Sequence, residues 1–246
     1  MDTASYVALS RLTAQQRALD VTATNIANAD TPGFQAGRVL FSDWLSRQTG
    51  TDAPPGGRVV AYTQDRATYR DGQRGALQHT GNPLDLALSG EGYFTVETQA
   101  GTRLTRAGRF SPLSDGTLAD ADGNALLDAG GQRLRLSPAD TRITVGADGT
   151  VSSENGAIGR VGVVRPADPY RLFPEGSRLL RADGPTAPVD EPKLVQGAVE
   201  GSNVQPVVET TRMMAALREF QFTSQFVQSE ADRRQKAIDK LTQRRA

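Results

Sequence analysis

The chain carries one histidine, His79, and no cysteine. A single imidazole cannot form a His cluster for a metal, and it leaves a Ser–His–Asp arrangement no choice of base. Without cysteine there is no thiol nucleophile, no disulfide and no thiolate metal site. Asp120, Asp122 and Asn124 have the spacing that opens a calcium loop. The loop's sixth position would be Ala125, where a sharp turn needs glycine, and its twelfth Gly131 in place of a bidentate glutamate, so a hairpin turn is expected instead. Gly90-Glu91-Gly92 lacks the third glycine that would open a nucleotide-binding helix. Glu91 and Glu97 could in principle serve as a glycosidase-type carboxylate pair, but nothing in their spacing brings them together. No catalytic, cofactor-binding or metal-binding residue is assigned, no cofactor is expected, and the chain reads as non-enzymatic.

Twenty-eight basic residues balance 28 acidic ones over 246 positions, so no global field favours nucleic acid or an anionic membrane. Arg233, Arg234, Lys236, Lys240, Arg244 and Arg245 crowd the last turns, where cations complement the negative end of a helix dipole. No apolar run approaches the roughly 18 residues of a membrane span, so no membrane insertion is expected. The opening Met1-Asp2-Thr3-Ala4-Ser5 has neither a basic nor an apolar leader region, so no cleaved signal peptide is expected.

Chemistry being scarce, the elements carry the information. Leu9, Leu12, Gln16, Leu19, Ala23 and Ile26 recur in steps of three and four, as do Met213, Leu217, Phe220, Ser224, Val227, Ala231, Arg234, Ile238 and Leu241. Such spacing holds side chains on one stripe, the seam of a left-handed coiled coil. The second pattern could span roughly 40 residues, about 60 Å of helix, well beyond the usual globular length. Between the two, Leu84/Leu86/Leu88, Phe94/Val96, Leu134/Leu136, Ile143/Val145 and Val161/Val163 alternate at period two, separated by Asp-Gly turns, as short strands do. The fold class expected is α+β: N- and C-terminal coiled-coil helices flanking a central all-β module. The boundaries are residues 1–34 for the first helix, 35–74 for an extended link, 75–182 for the β module, 183–201 for a Pro-rich link and 202–246 for the last helix. Ser202 or Asn203 is expected to cap that helix. The interface residues expected are Leu9, Leu12, Leu19, Ile26, Met213, Leu217, Phe220, Val227, Ile238 and Leu241. Pro32 and Gly33 stop the first helix and form a hinge, Gly33 through a positive φ. Asn25 and Asn28, three apart on the helix surface, are poor helix formers whose carboxamides could bond the backbone of a neighbour.

Residues 25–34 (NIANADTPGF) resemble the N-terminal signature of the flagellar rod and hook family. Gly81-Asn82-Pro83-Leu84-Asp85-Leu86-Ala87-Leu88 followed by Gly90-Glu91-Gly92-Tyr93-Phe94 is similar to its central motif. Arg103 to Phe110 resembles the segment that follows, with Leu104 in place of the usual aromatic, and Gly197 to Val204 resembles the opening of its C-terminal helix. Length and the ASYVALSR opening favour proximal-rod members over distal-rod members. The resemblance implies a structural subunit of the bacterial basal-body rod, exported from the cytoplasm by the flagellar type III apparatus. Its implied partners are other rod subunits, itself and that apparatus, and its implied place is the periplasmic rod, with helices packed into a torque-transmitting tube. The alternatives are a distal-rod subunit, or a secreted, oligomeric β-sandwich carbohydrate-binding or hydrolytic protein.

Overall fold

The computed structural model describes residues 3–48 and 58–243. The chain divides into two compact units. One comprises residues 1–26, 37–69 and 205–246, the other residues 27–36 and 70–204. Each is therefore built from segments far apart in sequence.

In the first unit a 25-residue helix, α1 (Thr3–Ala27), and a 38-residue helix, α2 (Pro206–Gln243), accompany a two-stranded sheet of β1 (Gly37–Gln48) and β2 (Arg58–Arg70). At 1.5 Å per residue α2 extends about 57 Å. The helices run antiparallel: Arg11 and Gln15 reach Glu219, whereas Asn25, near the other end of α1, reaches Glu209. The protected positions of α2 are Glu209, Met213, Ala216, Phe220, Thr223, Val227, Glu230 and Arg234. They alternate strictly in steps of four and three. On α1 the matching stripe is Ala8, Leu12, Gln15, Leu19, Thr22 and Ile26. These stripes differ by one residue, at alternate positions, from those expected. Leu9, Gln16, Leu217 and Ser224 face outward, and Ala8, Gln15, Ala216 and Thr223 replace them. Small residues at the contact allow two helices to approach closely, so hydrophobicity alone points to the wrong neighbour.

The segment expected as an extended link, 35–74, contains β1 and β2. The structure also differs at the start of the last helix, which begins at Pro206 with proline in the first turn, where its missing N–H costs nothing. Neither Ser202 nor Asn203 caps it.

The second unit is β-rich, every strand pairing antiparallel. Its largest sheet runs Leu172–Glu175, Leu179–Ala182, Gly101–Thr105, Tyr93–Thr98, Ala125–Leu126, Leu118–Ala119 and Ser111–Pro112. Val163–Pro166 also pairs with Tyr93–Thr98 and with Thr186–Pro188. A three-stranded sheet, Ile143–Val145, Thr150–Ser153 and Gly156–Arg160, stands beside two strand pairs. Those pairs join Leu86–Leu88 to Leu194–Gln196 and Leu77–His79 to Ala198–Glu200. One core gathers Leu86, Leu88, Phe94, Val96, Phe110, Leu126, Leu134, Ile143, Val151 and Val161, and Phe94 meets Phe110 edge-on at 5.6 Å.

Two expectations change here. Asp85 and Ala87, placed on a solvent face by period two, are buried with their leucine neighbours, because this strand is covered on both faces. Residues 183–201, expected as a connector, supply three of the strands just named. Thr186–Pro188 pairs on one side only, and proline is tolerated at such an edge, where no N–H has to be donated inward.

Candidate functional site

In the β-rich unit the four sequence motifs converge. The chain leaves α1 through Thr31, whose N–H donates to the Asn28 carbonyl at 3.2 Å and whose hydroxyl donates to the Asn28 side chain at 3.1 Å. Gly33 follows with φ 72°, a conformation that disfavours any side chain. A Cβ there would overlap the backbone nitrogen of Ala107 and the carbonyl carbon of Arg106. Gly33 N–H donates to the Glu200 carbonyl at 2.7 Å. The Glu200 carboxylate accepts from Arg106 at 3.0 Å and from the Gly75 N–H at 3.2 Å, and both members of the ion pair are buried. Arg106 in turn lies over the Tyr93 ring at 5.1 Å. Phe34 packs with Ala36 and Val204, under the Arg70 guanidinium at 4.8 Å. Asn203 accepts from the Ala36 N–H at 2.7 Å and donates to the carbonyls of Asp71 and Gln73. Gly108 completes the set: its carbonyl accepts from Leu86 N–H at 2.8 Å, and a Cβ would collide with the Leu86 carbonyl. The Asp85 carbonyl accepts from Gly197 N–H at 2.8 Å, while the Asp85 carboxylate accepts from Thr80 and Asn82.

The helical unit has its own polar knot. Glu209, whose side chain is 2% exposed, accepts from Arg38 at 2.7 Å, Arg212 at 2.6 Å and Asn25 at 3.1 Å. Burial alone pushes the Glu209 carboxyl up, but the Arg38 and Asn25 hydrogen bonds and the charges of Arg38 and Arg212 outweigh it and hold it below the ordinary carboxylate value. Asn25 is 1% exposed and also exchanges bonds with Gly37, donating to its carbonyl at 3.0 Å and accepting its N–H at 2.7 Å. This corrects the expectation of an outward-facing Asn25, since its carboxamide bonds backbone inside its own chain. One carboxylate thus ties the end of α1, the start of β1 and the first turn of α2.

The other expected interface residues separate into two groups. Leu12, Leu19, Ile26, Met213, Phe220 and Val227 are half-buried within the helical unit, and Asn28 and Pro32 are half-buried at the turn. Leu9 (57% exposed), Leu217 and Ile238 face outward, and the side chain of Leu241 lies outside the described residues. Glu200, Arg106, Glu209 and Arg38 were missed. The available signal was a charge set among apolar neighbours, as in Ala198-Val199-Glu200, or one heptad step before Met213, as at Glu209.

The carboxylates screened for chemistry make turn and ion-pair contacts. Asp120 accepts the N–H groups of Asp122 and Asn124 at 2.9 Å each, as a turn does, and Asp122 pairs with Arg178 at 2.7 Å. Glu91 pairs with Arg165 and Glu97 with Arg133. His79 is exposed on its strand opposite Ala198. Among the described residues, no three His, Asp or Glu side chains converge as a metal site, and no helix is long and apolar enough to cross a membrane.

Close backbone approaches, buried polar ties and outward apolar helix faces define a scaffold component, and known proteins give it a family. A family model described as "Flagella basal body rod protein" matches residues 6–35, "Flagellar hook protein FlgE/F/G D1 domain" matches 87–153, and "Flagellar basal body rod FlgEFG protein C-terminal" matches 195–240. The flagellar basal-body rod protein FlgF of Caulobacter vibrioides is 35% identical over 98% of both chains, and that of Mesorhizobium japonicum 37% over 98% of both. FlgG of Bacillus subtilis is 33% identical over 90% of this chain and 92% of its own. The chain belongs to the flagellar basal-body rod protein family and is a structural component of the rod.

Proposed function

We propose that this chain is a proximal-rod subunit that polymerises through α1 and α2. The observation that carries this reading is the exposure of large apolar residues on faces of the helices that the chain does not cover: Leu9, Met214, Leu217, Phe222 and Phe226. Water-exposed apolar stripes at helical spacing are interaction surfaces, and neighbouring helices would bury them in coiled-coil fashion. Export from the cytoplasm without a cleaved leader, through the flagellar type III apparatus, goes with that role. So does self-assembly in the periplasm beside other rod subunits. Helices that complete their packing only on assembly would gain order there, which delays polymerisation until the chain has crossed the membrane.

Circular dichroism of the purified monomer and of its polymer tests the assembly step, with more helix expected in the polymer. Equal helix content would remove the ordering step. Labelling the protein in purified basal bodies tests its place: a label at the distal end of the rod would favour the FlgG-type position instead.

A further inference from the structure

The large sheet of the β-rich unit ends on three strands that pair along one side only: Ser111–Pro112, Leu172–Glu175 and Thr186–Pro188. In an antiparallel ladder, successive residues turn their N–H and C=O groups alternately toward the neighbouring strand and away from it. Hydrogen bonds fix that alternation at each edge. Leu113 N–H donates to the Thr117 carbonyl at 2.8 Å, so Leu113 and Ser111 face the paired strand and Pro112 faces out. Asp183 N–H donates to the Arg171 carbonyl at 2.9 Å, so Arg171 and Phe173 face inward and Pro174 faces out. Ala167 N–H donates to the Pro185 carbonyl at 3.1 Å, and Val189 N–H to the Val163 carbonyl at 2.9 Å. Pro185, Ala187 and Val189 therefore face inward and Pro188 faces out. Among the described residues, each open edge of this sheet thus carries a proline at an outward position, and Pro112, Pro174 and Pro188 are all exposed. The three-stranded sheet closes one edge by another means. There the Gln196 side chain donates to the Ile143 carbonyl at 2.9 Å and accepts the Val145 N–H at 3.2 Å.

We infer that Pro112, Pro174 and Pro188 close the large sheet to strand addition, so that the β-rich units of adjacent copies stay separate. A docking strand needs an N–H donor from the edge it joins; proline offers none and sets its ring in the way. Apolar side chains lie beside two of these prolines, Leu113 at 44% and Phe173 at 46% exposure. With a free donor next to them, such edges would pair with the same edges on a second copy and compete with the contacts that a structural component has to make. The inference concerns the β-rich unit alone and stands whether or not the chain occupies the proximal rod.

The test uses the full chain carrying Pro112→Thr, Pro174→Thr and Pro188→Thr together, beside the wild type and Pro185→Thr. Threonine suits a strand and restores an outward N–H at each edge. Pro185→Thr loses the same ring but turns its new N–H inward, toward Ala167. After incubation at equal concentration, thioflavin T fluorescence, which responds to stacked strands and not to helix packing, should rise at least about tenfold in the triple form. Pro185→Thr should stay at the wild-type level. Hydrogen exchange should find the amides at positions 112, 174 and 188 protected in the associated material and open in the monomer. A folded triple form with wild-type fluorescence, an equal rise in Pro185→Thr, or associated material with those amides unprotected would each overturn the inference. Far-ultraviolet circular dichroism follows folding, and if the triple form unfolds, Pro174→Thr alone decides by the same readouts.

Discussion

Glu209 shows what one residue contributes. Its carboxylate joins three elements, and removing its charge leaves Arg38 and Arg212 beside a half-satisfied pocket. Loss of one partner of a buried pair costs more than the pair is worth, but Arg38 is partly exposed, so the cost here is moderated by solvent. Glu209→Gln should destabilise the helical unit by about 1–3 kcal/mol in chemical denaturation. The pH dependence has a definite sign. The Glu209 carboxyl titrates lower in the folded chain than in the unfolded one, so its contribution is complete above the unfolded value and is lost as pH falls through the folded value. Wild type should lose stability over that acidic window more steeply than Glu209→Gln; parallel pH profiles would remove Glu209 as the source. Glu154 behaves alike on an exposed loop: hydrogen bonds from the Thr141 hydroxyl and N–H lower it to about 2. Gly33 is constrained differently. The positive φ alone would let asparagine substitute with a mild penalty, but the backbone at Arg106 and Ala107 leaves no room for any Cβ. Gly33→Asn and Gly33→Val should therefore both lose at least about 2 kcal/mol and both fail to enter basal bodies while being exported. Normal incorporation of the Asn form would show that the Ala107 segment yields.

Among the elements, α2 separates folding from assembly on its own surface. Phe220 lies in the inner stripe, and Leu217 lies one residue beyond its member Ala216, facing water. Phe220→Asp should reduce the helical circular dichroism of the monomer, because a charge replaces packing between α1 and α2. Leu217→Asp should leave monomer helicity and denaturation unchanged yet reduce recovery in basal bodies at least tenfold. If Leu217→Asp lowers monomer stability as far as Phe220→Asp does, the two faces are not distinct. The heptad repeat was legible from sequence because positions 213, 220, 227 and 234 belong to both the inner stripe and the expected one. The alternate positions were not, since a large leucine looks more core-like than the alanine or threonine beside it. Only the facing helix decides which of the two is covered.

Across the whole molecule, the β-rich unit closes through segments far along the chain. Thr186–Pro188, Leu194–Gln196 and Ala198–Glu200 complete pairings with strands at 163–166, 86–88 and 77–79. A fragment of residues 75–182 would expose the core leucines 86 and 88 and lose the Glu200 tie to Arg106. Residues 27–204 should unfold in one cooperative thermal transition, whereas 75–182 should melt broadly or aggregate. A sharp transition at equal temperature in both fragments would return residues 183–201 to the role of a connector.

Sequence alone determined the features that depend on local periodicity and on residue type. Three-four spacing set the two terminal helices, and period two with Asp-Gly turns set a β-rich middle, because backbone geometry imposes those repeats wherever an element has a covered face. The counts of cysteine and histidine narrowed the available chemistry, and the four motifs in order pointed to the family. Tertiary structure decided everything that depends on a distant partner. It buried Asn25 against Gly37 and Glu209, drew Glu200 to Arg106 and Gly33, and turned a proline-rich stretch into strands. A residue's burial and charge pairing are properties of the space around it, which residues from 12 to 184 positions away supply.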